Sequence, residues 1–196
     1  MNFVSASYFG IYSPEGYGIL GVVLTIFYVL LVLHYVIQTS ISKFVASFKA
    51  KRDIGSICNL FVRSTKKIVI LGILLMAFTF GISYFLAGFL YIPKGVVWIV
   101  AVSIPFILLS PVARGVLQGA QRFKTLGFNY ITEAFAKFLF GLLLVFVGFG
   151  IFGAVFGITA AYITSSFLGY FVLRKYFKKT EKRVDSKKIY KYSWPV

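Results

Sequence analysis

Five apolar stretches of roughly membrane-spanning length fill most of this 196-residue chain, at about 18–38, 67–91, 96–118, 127–147 and 151–173. A bilayer core about 30 Å thick takes roughly 20 apolar residues per helix, and each stretch reaches or approaches that length. With 59% hydrophobic residues and 19% aromatics, a water-soluble fold of this size would leave too much apolar surface uncovered. The expected fold is therefore all-α: a polytopic helical membrane protein with about five transmembrane helices.

The formal net charge of +16 would ordinarily raise nucleic acid as a partner, but the placement of the charges argues otherwise. Lys43, Lys49, Lys51, Arg52, Arg63, Lys66 and Lys67 follow the first stretch, and Arg114, Arg122 and Lys124 surround the third-to-fourth connection. Nine more basic residues lie between Arg174 and Lys191, whereas Lys94 is the only one on the other side. Positive loops stay cytoplasmic, so the N-terminus is expected outside and the C-terminus in the cytoplasm of a multi-pass protein of the cell membrane. The basic runs read as solvated inner loops, with contact to anionic lipid headgroups or acidic lipid-linked substrates as the alternative.

Cys58 falls in an expected cytoplasmic segment, has no second cysteine to pair with, and reads as structural. Residues 1–17 lack the basic start and apolar run of a cleavable signal and resemble the tail of a span. Tyr91 and Trp98 flank the short outer turn at 92–95, at the level amphipathic rings favour. Beyond the first span, Ile41, Phe44, Val45 and Phe48 keep a helical stripe, so that helix is expected to continue inward, with Asp53 capping the next.

Within the spans, Gly153, Gly157, Ala161, Ser165 and Gly169 place small residues every fourth position and predict a close helix-packing seam. Pro105 and Pro111 each remove a backbone donor from the third span and bend it. Ionisable groups at membrane depth cost several kcal/mol unless paired or wetted, about 2.5–3.5 on insertion scales, so the few present stand out. Glu133 and Lys137 are one turn apart, in the order that suits an i,i+4 ion pair; Arg114 has Gln118 one turn beyond it, and His34 has Gln38. For His34 the alternatives are an interhelical hydrogen bond and a substrate role.

The run Pro111-Val-Ala-Arg-Gly-Val-Leu-Gln-Gly-Ala-Gln-Arg-Phe, followed by Asn129-Tyr-Ile-Thr-Glu-Ala-Phe-Ala-Lys, resembles the polysaccharide-biosynthesis membrane proteins. These are the O-antigen or lipid-linked-oligosaccharide flippases of the multidrug/oligosaccharidyl-lipid/polysaccharide exporter superfamily. Ser13-Pro-Glu-Gly-Tyr-Gly and Ser42-Lys-Phe-Val-Ala-Ser-Phe-Lys-Ala-Lys are similar to the ends of that family's first two helices, and the likeness extends over about residues 7–173. The resemblance implies about twelve spans in two six-helix lobes with the substrate between them. Against that plan the chain corresponds to most of one lobe, 1–178, with 179–196 a basic cytoplasmic linker toward a second lobe that is absent; a truncated product, a split gene and half of a two-chain transporter all fit.

The resemblance implies translocation of a lipid-linked sugar for cell-surface polysaccharide assembly, by alternating access between two lobes. Arg114, Lys137 and Gln118 are the candidates to contact a pyrophosphate or acidic sugar, with Glu133, His34 and Gln38 as charge-pair or coupling candidates. A cation-coupled drug antiporter, resting on Glu133, and a non-transporting membrane subunit are the alternatives. No enzymatic site, metal site or cofactor is expected, since the sequence shows no ligand cluster, no nucleophile-base-acid spacing and no phosphate-binding glycine loop. The expected partners are membrane lipids, the lipid-linked sugar, and a second lobe or another copy, with no nucleic acid.

Overall fold

The computed structural model describes residues 14–178, so the expected linker 179–196 and the expected span tail over residues 1–13 lie outside the described residues. The described chain is α-helical throughout: α1 (Pro14–Ala50), α2 (Ile54–Gly81), α3 (Ser83–Phe89), α4 (Lys94–Gly119), α5 (Phe123–Leu144) and α6 (Gly150–Lys178), with a π-type turn, Val145–Phe149, between the last two. Three stretches are long and apolar enough to cross a bilayer, Gly16–Ala50, Lys94–Gly119 and Phe123–Arg174, and the bent pair α2–α3 makes a fourth. Phe123–Arg174 is 52 residues long because it holds two helices, α5 and α6, joined where Gly148 adopts φ +97° and Gly150 φ +51°. Left-handed backbone of that kind costs glycine little, and here it lets the chain reverse.

The first helix runs 37 residues, continuing beyond the 18–38 stretch as expected, because the apolar stripe of Ile41 and Val45 continues to find a partner in α4; one expected boundary changes. The second stretch, expected as one span over 67–91, begins at Ile54 and bends by 64° between α2 and α3. Asp53 starts α2: one carboxylate oxygen accepts from the Ser56 backbone N–H at 3.0 Å and the other from its hydroxyl at 2.6 Å. An Asp side chain there occupies one of the helix-end donors that have no intrahelical acceptor.

α4 is the central element, buried along most of its length, with α1, α2 and α6 packed around it. Close glycine contacts give the directions. A Cβ on Gly115 would meet the Gln38 carbonyl at 2.8 Å and one on Gly119 the Ser42 carbonyl at 2.5 Å, so α1 and α4 run parallel. Gly72 of α2 leaves room for Pro105 of α4, whose Cα would lie 2.9 Å from an added Cβ. Gly153 and Gly157 let α6 close antiparallel on Leu144 and Gly141 of α5, while Gly169 sits against Ala113 of α4. Small residues thus set the helix spacing where lipid supplies no hydrophobic drive for association.

Apolar packing divides into two clusters. One gathers Ile19, Val23, Phe27, Val96, Val100, Ile107, Ile151 and Val155; the other gathers Ile41, Val45, Phe61, Val112, Val116, Leu117, Leu126 and Leu173. Most of the buried polar side chains fall between them along the helices, including His34, Ser110, Arg114, Asn129 and Ser165. On the outside, α2 and α3 present Ile70, Leu74, Phe78, Phe85 and Phe89, all more than half exposed, which is surface suited to lipid tails.

Candidate functional site

Arg114 organises the polar layer. Its guanidinium Nε donates to Asn129 Oδ1 at 2.7 Å, Nη2 donates to the Ser165 hydroxyl at 2.7 Å, and the same nitrogen pairs with Glu133 Oε2. The ring of Tyr130 covers it, 4.0 Å from the guanidinium carbon to the ring centroid. Three helices contribute because Asn129 and Glu133 are one turn apart on α5, and Ser165 lies on the small-residue face of α6 that closes over them. Asn129 Nδ2 donates to the Ser165 carbonyl at 2.8 Å, and the Ser165 hydroxyl returns a bond to Asn129 Oδ1 at 3.0 Å. Ser110 Oγ completes the group at 3.3 Å from Ser165 Oγ. Among the described residues no buried side-chain nitrogen or oxygen lacks a partner, which is what an apolar surrounding demands of polar groups.

A second set of bonds joins α1 to this layer. Gln38 Nε2 donates to Gln118 Oε1 at 2.8 Å, and the Tyr130 hydroxyl donates to Gln38 Oε1 at 3.0 Å, so one amide bridges α1, α4 and α5. His34 Nδ1 lies 3.1 Å from the Ile107 carbonyl of α4, and its ring sits near those of Tyr35 and Tyr162. At the end of α1, Lys49 Nζ donates to the Ala120 carbonyl at 2.8 Å and to Gln121 Oε1 at 2.9 Å, covering the open C-terminus of α4.

The candidates taken from the sequence therefore converge, but unequally. Glu133 and Lys137 face each other at 3.9 Å as the spacing predicts, yet they are not the only opposite charges at depth, because Arg114 holds Glu133 more closely. The Arg114 side chain is 2% exposed and Glu133 12%, whereas Lys137 is 45% exposed, with Nζ 5.5 Å from the Tyr162 ring centroid. Gln118 and Gln38 are bonded to each other, and His34 is buried against α4. Of the small-residue seam, Gly153 and Gly157 meet α5, Ala161 is fully buried, Ser165 serves the arginine, and Gly169 meets α4.

Reading the sequence alone passed over Asn129, Tyr130 and Ser110 as members of the site. Asn129, Glu133 and Lys137 do recur every fourth position, so one polar stripe on an otherwise apolar helix was the available signal. The joining of Tyr130 to both Arg114 and Gln38 depends on tertiary packing and left no mark in the spacing.

A family model described as polysaccharide biosynthesis protein matches residues 1–196. No curated protein and no solved structure matches the chain significantly. The chain belongs to the polysaccharide biosynthesis protein family, and it is a membrane protein.

Proposed function

We propose, with that membership as premise, that the chain is one lobe of a transporter that carries a lipid-linked oligosaccharide across the cell membrane for surface-polysaccharide assembly. The observation that carries this reading is the exposure of Lys137. Its position is 14 residues into α5, which at a rise of about 1.5 Å per residue is roughly 21 Å along the helix. A cation held half exposed at that depth is unsuited to lipid tails. It suits a face that meets either water or a second lobe, and the Tyr162 ring lies beside it at 5.5 Å.

In this reading Lys137 contacts the phosphate of the lipid carrier. Arg114, enclosed and with three bonds already made, holds Glu133 and the helices in place instead of touching substrate. Gln118 and Gln38 order the edge of the same face. Transport then proceeds by alternating access against a second lobe, and not by catalysis. The antiporter alternative needs a carboxylate free to take a cation, and the engagement of Glu133 by Arg114 speaks against it.

The cations of the α1–α2 and α4–α5 connections and Arg174 lie at one end of the bundle, and Lys94 at the other. We propose that the former end is cytoplasmic. Cys58 cannot report on this, because its side chain is buried and an impermeant thiol reagent would miss it from either side. Single cysteines at exposed Lys124 and at Lys94, in a Cys58→Ser background, supply the test: the second should label on intact cells and the first only after lysis. The reverse pattern overturns the orientation.

The function itself is tested in vesicles carrying a fluorescent lipid-linked sugar. Purified chain should translocate only when a second lobe is co-reconstituted or when the chain dimerises. Rapid translocation by a demonstrated monomer would refute the two-lobe reading, and absence of translocation by every assembly would refute transport.

A further inference from the structure

We propose that His34 is a clasp that replaces the backbone donor Pro111 removes from α4, tying α1 to α4 at the proline that precedes Arg114. In a regular helix the carbonyl of residue 107 accepts from the N–H of residue 111. Pro111 lies inside α4 and has no N–H, so it leaves the Ile107 carbonyl without that donor. His34 Nδ1 is placed 3.1 Å from this carbonyl, across from α1. A carbonyl oxygen only accepts, so this contact requires the proton on Nδ1.

The neighbouring carbonyl also has a side-chain partner. Ser166 of α6 donates its hydroxyl to the Phe106 carbonyl at 3.1 Å, so α1 and α6 both hold α4 just before Pro111. Burial explains why such partners are needed: His34 and Ser166 are each 2% exposed, and an orphaned carbonyl among these apolar neighbours would cost free energy. Arg114 lies three residues past Pro111, nearly one turn, so whatever holds α4 at this proline also bears on where the guanidinium points. His34 is thus a positioning residue, acting on Arg114 through the backbone of α4. This inference goes beyond the transport reading and does not depend on the substrate.

The chain contains one histidine, which makes the clasp directly observable. With histidine labelled with nitrogen-15 in the full chain in detergent or nanodiscs, the spectrum should show a protonated Nδ1. The opposite tautomer, or fast exchange between the two, would overturn the proposal. The second test is a rescue. His34→Leu should lower the melting midpoint, and adding Pro111→Ala, which returns a backbone N–H to the Ile107 carbonyl, should recover most of the loss. If His34 only fills space, Pro111→Ala gives no such recovery and the clasp is refuted. Should the leucine variant fail to fold, recovery of folded protein in the double variant supports the proposal and its absence counts against it.

Discussion

Arg114 and Lys137 both reach Glu133, one from within the helix bundle and one from its edge. Arg114 is 2% exposed, has Asn129, Ser165 and Glu133 as partners, and lies under the Tyr130 ring. Lys137 is 45% exposed, 3.9 Å from the same carboxylate, and otherwise faces the Tyr162 ring. The contrast separates two uses of a membrane cation. A guanidinium with three hydrogen-bond partners and a ring over its face can remain in a low-dielectric interior and fix three helices. An ammonium left half open has an unfilled bonding capacity that a passing anion can use. The two sites share one carboxylate, so substitutions can pull them apart.

The largest effect is expected at the buried end. Arg114→Met strands the Glu133 carboxylate and leaves Asn129 and Ser165 short of a donor, a loss of about 4–5 kcal/mol from breaking a buried pair. Little monodisperse protein should survive size-exclusion chromatography in detergent, and Arg114→Lys should not restore it, because a lysine lacks the fork. Near-normal yield of Arg114→Met would show that the network is dispensable. Next comes Glu133→Gln, at about 3 kcal/mol, since the amide oxygen still accepts while the charge of Arg114 goes uncompensated. Adding Lys137→Met should recover little of it, because the cation left stranded is mainly Arg114. Full recovery in the double variant would mean that Lys137 is the principal partner after all.

Much of this architecture was legible beforehand. Hydropathy runs mark the spans, Asp53 marks the start of α2, and fourfold spacing marks the glycine face of α6, since each of these is a local property of the chain. The 64° bend at Ile82 was not read, because Gly81 and Ser83 beside it sit in one unbroken apolar run with no proline. The pairing of Arg114 with Glu133 was missed for a similar reason: the residues are 19 apart and meet only because α4, α5 and α6 close on one another. Sequence spacing displays the i,i+4 contact of Glu133 with Lys137 and hides the stronger one from a neighbouring helix.

Gly157 provides an intermediate perturbation that spares Arg114. A Cβ there would meet Gly141 N and Cα at 2.5 Å and the Lys137 carbonyl at 3.3 Å, so Gly157→Ala pushes α5 away from α6 beside Lys137. Backbone cannot yield as a side chain end can, and a cost of roughly 1–3 kcal/mol is expected. The melting midpoint should fall by several degrees while folded protein is still recovered. An unchanged midpoint would place the two helices farther apart than the contacts indicate.

The smallest effect on stability, and the one that bears most on function, belongs to Lys137→Met. An ion pair with one partner almost half exposed contributes about 0–1 kcal/mol, and removing the cation leaves Glu133 with its closer partner, Arg114. Yield and melting midpoint should therefore stay near those of the wild type. Retention of a phosphate-bearing lipid should not: after delipidation and incubation with an undecaprenyl phosphate, wild-type protein should hold the lipid through chromatography and Lys137→Met should lose it. Lys137→Arg, which keeps a cation at the site, should retain it. If Lys137→Met binds the lipid as well as wild type, the open end of the network has no phosphate to meet, and the difference between the two cations is only one of burial. If Lys137→Met instead fails to fold, the ammonium supports the helices as the guanidinium does, and the division of labour between them disappears.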